Sequence, residues 1–227
     1  MAMETHKGQI LPLKNQLIPI SEHTVLHGSF DQDLNLFHQG KRVPPVGYEK
    51  ALYFNGTDTY IQTRWEPYTH ITGNTFTLEA WAYPTTLSGQ RTVLGNYEAG
   101  GIGLEINGNR WRGLFYLDGS YKYAISTAAP VLNKWVHLAT TYDGEKIRLF
   151  VDGVEAVEPT LIEGNVGKGA YYLMIGAQPA GYSNDQTDSL FQGYISDVGV
   201  WNYARSPEQI KETVSSGIDP KAPATLS

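Results

Sequence analysis

Two apolar runs separated by an Asp-Gly dipeptide, within residues 133–154, constrain the fold more than any other part of the sequence. In the second run Ile147, Leu149 and Val151 occupy alternate positions, and the first run, Val136–Tyr142, alternates in the same way. A period of two places alternate side chains on opposite faces of a strand. Glycine allows the tight turn between the runs because it adopts positive φ without steric cost. The sequence therefore predicts an antiparallel β-hairpin with one core face.

The rest of the chain has the composition of a turn-rich β protein. Its 227 residues are 41% hydrophobic and 18% charged, and they include 24 glycines and 15 tyrosines. Length alone allows one large sandwich or two small domains. Further runs follow at roughly the 8–12 residue spacing that is typical of sandwich strands. The predicted strands are 76–84, 93–95, 103–106, 111–116, 121–125, 171–176 and 191–201.

Three smaller segments complete the prediction. Residues 51–62 contain two short β runs around an Asn-Gly turn, and we expect these runs to form a strand pair. Residues 178–189 are predicted to form a polar loop. Ser206 and Pro207 are typical of the cap and first position of a helix, so a short C-terminal helix is expected there.

Charge and residue types exclude several function classes. A net charge of −6 with only 17 Lys and Arg argues against nucleic acid as the main partner. The absence of cysteine excludes disulfides and cysteine-ligated zinc. The first residues show no secretory signal, and no apolar segment is long enough to span a membrane, so membrane insertion is not expected.

Four separate motifs, in order along the chain, resemble those of the laminin-G-like family. They are the segments 51–62, 76–84, 135–153 and 193–210. The resemblance implies an all-β fold, a two-sheet antiparallel jelly-roll β-sandwich of the concanavalin A-like kind with a short C-terminal helix. It places a single domain at residues 23–214, between an N-terminal extended arm (1–22) and a C-terminal tail (215–227). One such fold hosts many unrelated functions, so the ligand does not follow from it.

Catalysis is not expected. Glycoside hydrolases of the wider concanavalin A-like fold need a pair of carboxylates on one strand, as in Glu-x-Asp-x-x-Glu, and this motif does not occur here. The nearest pairs, Glu155 with Glu158 and Asp31 with Asp33, are expected beside a turn and at a strand end. The sequence also has no Gly-x-Ser-x-Gly elbow. His137 is interpreted as a structural histidine. The sequence thus predicts a binding protein and no enzyme.

Calcium is the one cofactor that the resemblance implies. Laminin-G-like jelly rolls commonly hold one structural calcium, and matching their motifs to this chain implicates the side chains of Asp31, Asp58 and Asp197 with the carbonyl of Gly56. Asn55 stands where the family motif has an aspartate. Ordinary turn caps and a hydrogen-bonded aspartate are the alternative interpretation.

Aromatic residues outside the core pattern are the candidates for ligand contact, because sugars present apolar C–H faces that stack on rings. Polar side chains beside them would bind hydroxyl groups. The predicted ligand-binding residues are Tyr97, Trp111, Tyr116, Tyr121, Tyr182, Asn184 and Asp185.

Two functions remain open from the sequence. The first is a lectin-like, non-catalytic module that recognises glycans or a cell surface in adhesion, as part of a phage virion or outside a cell. The second is a structural or decoration protein of a virion or another assembly, anchored by its arm to other structural proteins or to further copies of itself. Leu11-Pro12-Leu13 and Ile18-Pro19-Ile20 offer apolar anchors within the arm. The sequence leaves open whether the arm lies on its own domain or on another subunit.

Overall fold

The computed structural model describes residues 51–62, 74–167 and 169–216, and the backbone of 24–28, 37–38 and 41–42. The predicted arm (1–22), Asp31 and the tail beyond residue 216 lie outside the described residues. The strands of the first half are β1 (Thr24–Gly28), β2 (Phe37–His38), β3 (Lys41–Arg42), β4 (Leu52–Asn55), β5 (Ile61–Gln62), β6 (Phe76–Pro84), β7 (Arg91–Gly95), β8 (Ile102–Asn107) and β9 (Arg110–Leu117). Those of the second half are β10 (Ser120–Ile125), β11 (Val136–Tyr142), β12 (Lys146–Val151), β13 (Val154–Glu155), β14 (Thr160–Leu161), β15 (Met174–Ile175), β16 (Gln178–Ala180), β17 (Ser183–Asp188) and β18 (Gln192–Trp201), followed by helix α1 (Pro207–Ser216).

Two antiparallel sheets form the predicted sandwich. The eight-stranded sheet has the order β1-β18-β6-β11-β12-β13, with β4 also paired to β18 and β14 to β12. The six-stranded sheet has the order β10-β9-β8-β7-β15-β5. One large cluster of buried apolar side chains fills the space between them. Each fully buried aliphatic or aromatic side chain contributes about 1.5–3 kcal/mol, so this layer is the main source of stability.

The hairpin predicted at residues 133–154 is confirmed as β11 and β12. Leu138 pairs with Val151 and Tyr142 with Ile147, so the register follows the alternation. Ile147 and Leu149 are fully buried in the core. In the turn, Asp143 Oδ1 accepts the backbone N–H of Lys146 at 2.7 Å. A side-chain acceptor and a glycine thus close the turn as the sequence indicated.

The two β runs of residues 51–62 do not form a pair. β4 joins the eight-stranded sheet through β18, whereas β5 joins the six-stranded sheet through β15. The Asn55 side chain explains the change of sheet, because its Oδ1 accepts the N–H groups of Thr57 and Asp58 at 2.9 and 3.1 Å and holds a tight turn. The expected strand pair is therefore a crossover between sheets.

The segment 178–189 is also more ordered than the predicted loop. β16 and β17 form a two-stranded hairpin with a turn at Gly181 and Tyr182, whose φ values are 60° and 54°. Consecutive positive φ angles give the tight hairpin turn. This geometry holds Tyr182 in a fixed position at the surface.

Helix α1 begins as predicted. Ser206 Oγ accepts the N–H of Gln209 at 3.3 Å, and Gln209 Oε1 accepts the N–H of Ser206 at 2.8 Å, which is a reciprocal capping box. Ile210 packs against Ala139 and Phe150 on the outer face of the eight-stranded sheet. The helix ends at Ser216, two residues beyond the predicted domain limit.

A buried ionic cluster fixes the helix to this face. The carboxylate of Glu79 forms an ion pair with Arg205, and His137 Nε2 lies 3.2 Å from Glu79 Oε2. Arg205 also donates to Thr213 Oγ1 at 2.9 Å and to the carbonyl of Gln209 at 3.0 Å, both in the helix. Glu79 and His137 are fully buried and Arg205 is 5% exposed. The cluster therefore serves the fold, which agrees with the structural role expected for His137.

Candidate functional site

Tyr97 lies on the outer face of the six-stranded sheet, just after β7. Its ring covers Gly95 and Gly103, where a Cβ would come within 2.5 Å of the ring, so only glycine admits it. Its hydroxyl donates to Glu105 Oε2 at 2.6 Å. Burial, and next the negative charge of Glu105, hold the pKa of Tyr97 well above its ordinary value. Tyr97 is thus a neutral, buried anchor and presents no ring face to a ligand.

Glu105, in the middle of β8, is the centre of the polar network beneath this surface. Its Oε2 also accepts from Gln90 Nε2 at 2.6 Å, and its Oε1 forms an ion pair with Arg112 across the β8–β9 pairing. The residue is fully buried. Because both carboxylate oxygens are engaged, Glu105 can position Arg112 but is poorly suited to transfer a proton.

Arg112 carries this network to the protein surface. Its guanidinium carbon lies 4.3 Å from the centre of the Tyr123 ring, which is a cation–π contact. The Arg112 side chain is 18% exposed. The ion pair below and the ring beside it leave the guanidinium little rotational freedom. Arg112 and Tyr123 together form a rigid, partly exposed surface that offers the hydrogen-bond donors of the guanidinium.

Tyr121 holds the loop that follows Tyr97. Its hydroxyl donates to the carbonyl of Tyr97 and accepts the N–H of Gly100 at 3.1 Å. Gly100 and Gly101 have φ values of 89° and 97°, which favour glycine. Partial burial raises the pKa of Tyr121, so the hydroxyl remains protonated at neutral pH. The ring of Tyr116 meets that of Tyr121 edge to face at a centroid distance of 4.9 Å.

Tyr182 is 75% exposed and lies beside the same loop. Its backbone N–H donates to Glu98 Oε1 at 3.2 Å, which ties the β16–β17 turn to residues 98–101. The structure thus brings four predicted residues together, three at the surface and Tyr97 beneath them. We call the exposed part the tyrosine surface, formed by Tyr116, Tyr121, Tyr123, Tyr182 and Arg112.

Asn184 and Asp185 follow Tyr182 on β17 and have different roles. Asn184 Oδ1 accepts the N–H of Tyr172 at 2.8 Å, and its carbonyl accepts from Gln62, so Asn184 tethers the hairpin to its own domain. Asp185 is exposed, and its N–H donates to Ser183 Oγ at 3.0 Å. Of these two residues, Asp185 is the one whose side chain is exposed at the protein surface.

Trp111 is separate from the tyrosine surface. It is 3% exposed, belongs to the core cluster, and lies at the opposite end of β9 from Tyr116. Register accounts for this position, because Trp111 pairs with the core residue Ile106. Its indole also forms part of the wall of a cavity of about 390 Å³ at that end of the sandwich. Trp111 is therefore a core residue, and the expectation that its ring is exposed for stacking is corrected.

The described residues do not assemble the predicted calcium ligands. Asp58 Oδ1 accepts from Asn55 Nδ2 at 2.7 Å within the turn after β4. Asn55 pairs with Gln192, five positions before Asp197 on β18. Five strand residues span about 16 Å, which separates Gly56 and Asp58 from Asp197. Among the described residues, no three His, Asp or Glu side chains are grouped to hold a metal ion.

Asp197 alone keeps the properties of a ligand. It lies in a β-bulge with φ 40°, at the point where the outer edge of β18 changes partner from β4 to β1. It is 4% exposed, and burial raises its pKa from 3.8 to about 7. A buried carboxyl in this state is stabilised by a proton or by a cation. Calcium at Asp197 stays a prediction, because Asp31 is outside the described residues.

Sequence reasoning missed Gln90, Glu105, Arg112 and Tyr123. Alternation alone could have found Arg112 and Tyr123, since both occupy outward positions of predicted strands. The contacts of Arg112 with Glu105 and with Tyr123 depend on the pairing of β8, β9 and β10.

A second aromatic feature was also missed. On the outer face of the eight-stranded sheet, directly paired positions of β4, β18 and β6, with the residue before β11, form a ladder of rings. Successive centroids are 5.1, 5.6 and 5.6 Å apart along Tyr53, Tyr194, Tyr83 and Trp135. Tyr83 is only 3% exposed, so the ladder packs mainly as part of the fold.

The two antiparallel sheets with a polar and aromatic outer face define a jelly-roll sandwich of the lectin-like class. A family model described as the concanavalin A-like lectin/glucanase superfamily, Laminin_G_3, matches residues 55–211. The chain belongs to this superfamily, as its motifs predicted. The comparison with curated proteins gave no match.

Several solved structures share the fold. Domain 4 of an extracellular arabinanase from Geobacillus stearothermophilus, in complex with arabinotriose, is 19% identical with a TM-score of 0.51, over 73% of this chain and 76% of that one. A candidate carbohydrate-binding protein from Bacteroides ovatus is 21% identical with a TM-score of 0.56, over 77% and 51%. The receptor-binding domain of botulinum neurotoxin type G is 14% identical with a TM-score of 0.51, over 71% and 41%. The chain thus spans about half of the second of these proteins and 41% of the third.

In the part of the chain that the structure describes, no helix is long and apolar enough to cross a membrane.

Proposed function

We propose that this protein is a non-catalytic glycan-binding module and that the tyrosine surface is its binding site. The observation that carries the proposal is the Arg112–Tyr123 stack, held from below by the buried Glu105. A planar ring offers an apolar face to sugar C–H groups, while the guanidinium supplies donors to hydroxyl oxygens. The exposed ring of Tyr182, which belongs to the same tyrosine surface, adds a second stacking face.

The comparisons support the ligand class. One neighbour was solved with arabinotriose, and a second is described as a candidate carbohydrate-binding protein. At 19% and 21% identity these likenesses establish the fold, and the sugar ligand is our inference for this chain. The rigid support under the tyrosine surface is consistent with it, because a preorganised site loses less entropy on binding.

The positions of the buried glutamates support a non-catalytic role. Glycosidases need two carboxyl groups about 5–10 Å apart in one cleft. Glu79 and Glu105 lie on the outer faces of different sheets, and each forms an ion pair with an arginine. Neither is free to act as an acid or nucleophile.

Glycan-array binding followed by calorimetry with the best ligand tests the proposal. We expect Tyr182→Ala to weaken binding about two- to twelvefold, the effect of losing one stacking contact of about 0.5–1.5 kcal/mol. Tyr53→Ala is the matched control, because Tyr53 is also exposed (45%) but lies on the other sheet. Equal effects of the two variants, or no glycan bound at all, would contradict the proposal.

The assembly function is the second candidate, and the apolar-proline pairs of residues 11–13 and 18–20 are the feature that favours it. In that case the glycan-binding module belongs to a virion or similar particle, anchored by residues 1–22. Deleting residues 2–20 should leave cooperative unfolding intact but lower the assembly mass in size-exclusion chromatography. An unchanged mass, or a lost cooperative transition, argues against anchoring.

A further inference from the structure

A cavity of about 390 Å³ opens at the end of the sandwich where β10 leads into β11. The loop 126–136 forms one side of it and the turn 151–156 the other. Trp111 contributes to its wall, and Val131 and Val154 lie at its mouth, 57% and 67% exposed. Such exposed aliphatic side chains around a concavity are typical of binding sites.

The polar groups of this cavity carry both signs of charge. Lys134 is exposed on the loop side, and Asp152 is exposed on the turn side. One oxygen of Asp152 accepts the N–H of His137 at 2.8 Å, and Glu155 pairs with Arg148 at 2.7 Å. The rim therefore offers a donor and an acceptor with little net charge, which matches a neutral ligand with hydroxyl groups better than a charged one.

The cavity lies just beyond the end of β10, the strand that carries Tyr121 and Tyr123 of the tyrosine surface. Tyr121, Tyr123 and Ile125 occupy alternate positions on the outer side of this strand, about 6.8 Å apart. The next residue, Ser126, lines the cavity and is fixed to Trp111 by backbone and side-chain hydrogen bonds of 2.9 and 3.0 Å. An extended chain that lies on the outward residues of β10 and turns over this end of the sandwich would reach the cavity with its last units.

We propose that the cavity is the end subsite of the glycan site and takes one or two neutral sugar units of a chain bound along β10. This inference rests on the proposed function and adds a specificity to it, recognition of a chain terminus. The apolar walls suit the C–H face of a sugar ring, and Lys134 and Asp152 suit its hydroxyl groups. A purely aliphatic ligand would cover both charged groups without replacing their water, which is unfavourable.

The test is an NMR titration of the ¹⁵N-labelled full chain with glucose, galactose, arabinose, N-acetylglucosamine, cellobiose and lactose, and separately with cyclohexanol as an apolar probe. We expect at least one sugar to shift the amides of Thr127, Lys134 and Val154. Val154→Asp should weaken that binding at least tenfold. Leu161→Asp is the matched control, because Leu161 is 75% exposed and lies outside the cavity. Both variants change exposed positions, and their melting temperatures establish that they fold.

The outcomes separate this inference from the proposed function. Cyclohexanol shifts without sugar shifts, or no shift at the cavity, overturn the end subsite. If a longer glycan from the array then still binds and depends on Tyr182, the proposed function stands alone. If sugars shift the cavity but Tyr182→Ala leaves glycan binding unchanged, the cavity is a site and the tyrosine surface is not.

Discussion

Glu79 and Glu105 occupy similar positions in the two sheets. Each lies in the middle of a strand, faces outward from the core, is fully buried and forms an ion pair with an arginine. They differ in what covers the arginine. Arg205 lies beneath helix α1, whereas Arg112 reaches solvent beside Tyr123. The same pair of residue types thus closes the fold on one sheet and supports an exposed surface on the other.

The largest effect is expected for Arg205→Ala. It leaves the carboxylate of Glu79 buried without its cation, and such a loss costs about 3–5 kcal/mol. Urea unfolding measures it, with Arg112→Ala as the matched variant. Arg112→Ala should cost about 1–2 kcal/mol less, because water can reach Glu105 once the partly exposed side chain is removed. The comparison fails if the two variants are equally unstable.

Asp197 is a third buried carboxyl, and burial raises its pKa. Because the folded-state pKa is about 7 and the ordinary value 3.8, the stability that Asp197 contributes without metal is full below about pH 4 and is lost as the pH rises through 7. At 1.36 kcal/mol per unit the loss approaches about 4 kcal/mol. Asp197→Asn should remove this pH dependence.

Urea unfolding of both proteins at pH 5, 6 and 8, in chelator and in calcium, gives the measurement. A difference between the two proteins that does not grow with pH in chelator would contradict the raised pKa. Calcium stabilisation of the original protein at pH 8 that is absent in the variant would support the calcium prediction. Equal stability in calcium and chelator would count against it.

Glu105→Gln tests whether the buried carboxylate supports ligand binding as well as the fold. The amide keeps the shape but removes the charge that holds Arg112, so we expect a stability loss of about 1–3 kcal/mol. Glycan affinity should fall as well, because Arg112 is no longer held over Tyr123. Glu79→Gln is the control, since it should reduce stability and leave affinity unchanged. Affinity lost equally in both variants would mean that the effect is unfolding.

Tyr121→Phe has the smallest expected effect. It removes the hydroxyl that holds the loop 98–101, worth about 0.5–1.5 kcal/mol. Faster hydrogen exchange at the amides of Gly100 and Gly101, with exchange at Ile147 unchanged, is the expected result. Equal acceleration at all three amides would show that the hydroxyl stabilises the whole domain.

The elements could be predicted from the sequence because their signals are local. Alternation around Leu149 and the capping residues Ser206 and Gln209 depend only on neighbours in the chain. The site depends on register instead. Glu105 meets Arg112 only because β8 and β9 pair in one particular alignment, and nothing within either strand specifies it.

Bulges and crossovers were beyond prediction for the same reason. The separation of Asp58 from Asp197 follows from where β4 ends on β18, and Asp197 is buried by a local insertion in the pairing. Motif order in the sequence carries no distance between such positions. Tyr97 was expected to be exposed because it lies outside the core pattern of the sequence. Two glycines in neighbouring strands instead make room for its ring, and it is buried.

The aromatic ladder gives the eight-stranded sheet an optical label. Tyr53, Tyr194, Tyr83 and Trp135 lie close enough, at 5.1–5.6 Å between neighbouring ring centres, for light absorbed by the tyrosines to be emitted by the tryptophan. Each ring stands on a different chain segment, so this path of neighbouring rings exists only while the three strands and the start of β11 are aligned. A slip of one residue in any strand would turn its ring towards the core and interrupt the path. The part of the tryptophan emission that Trp135 receives from these tyrosines therefore responds to strand alignment in this sheet.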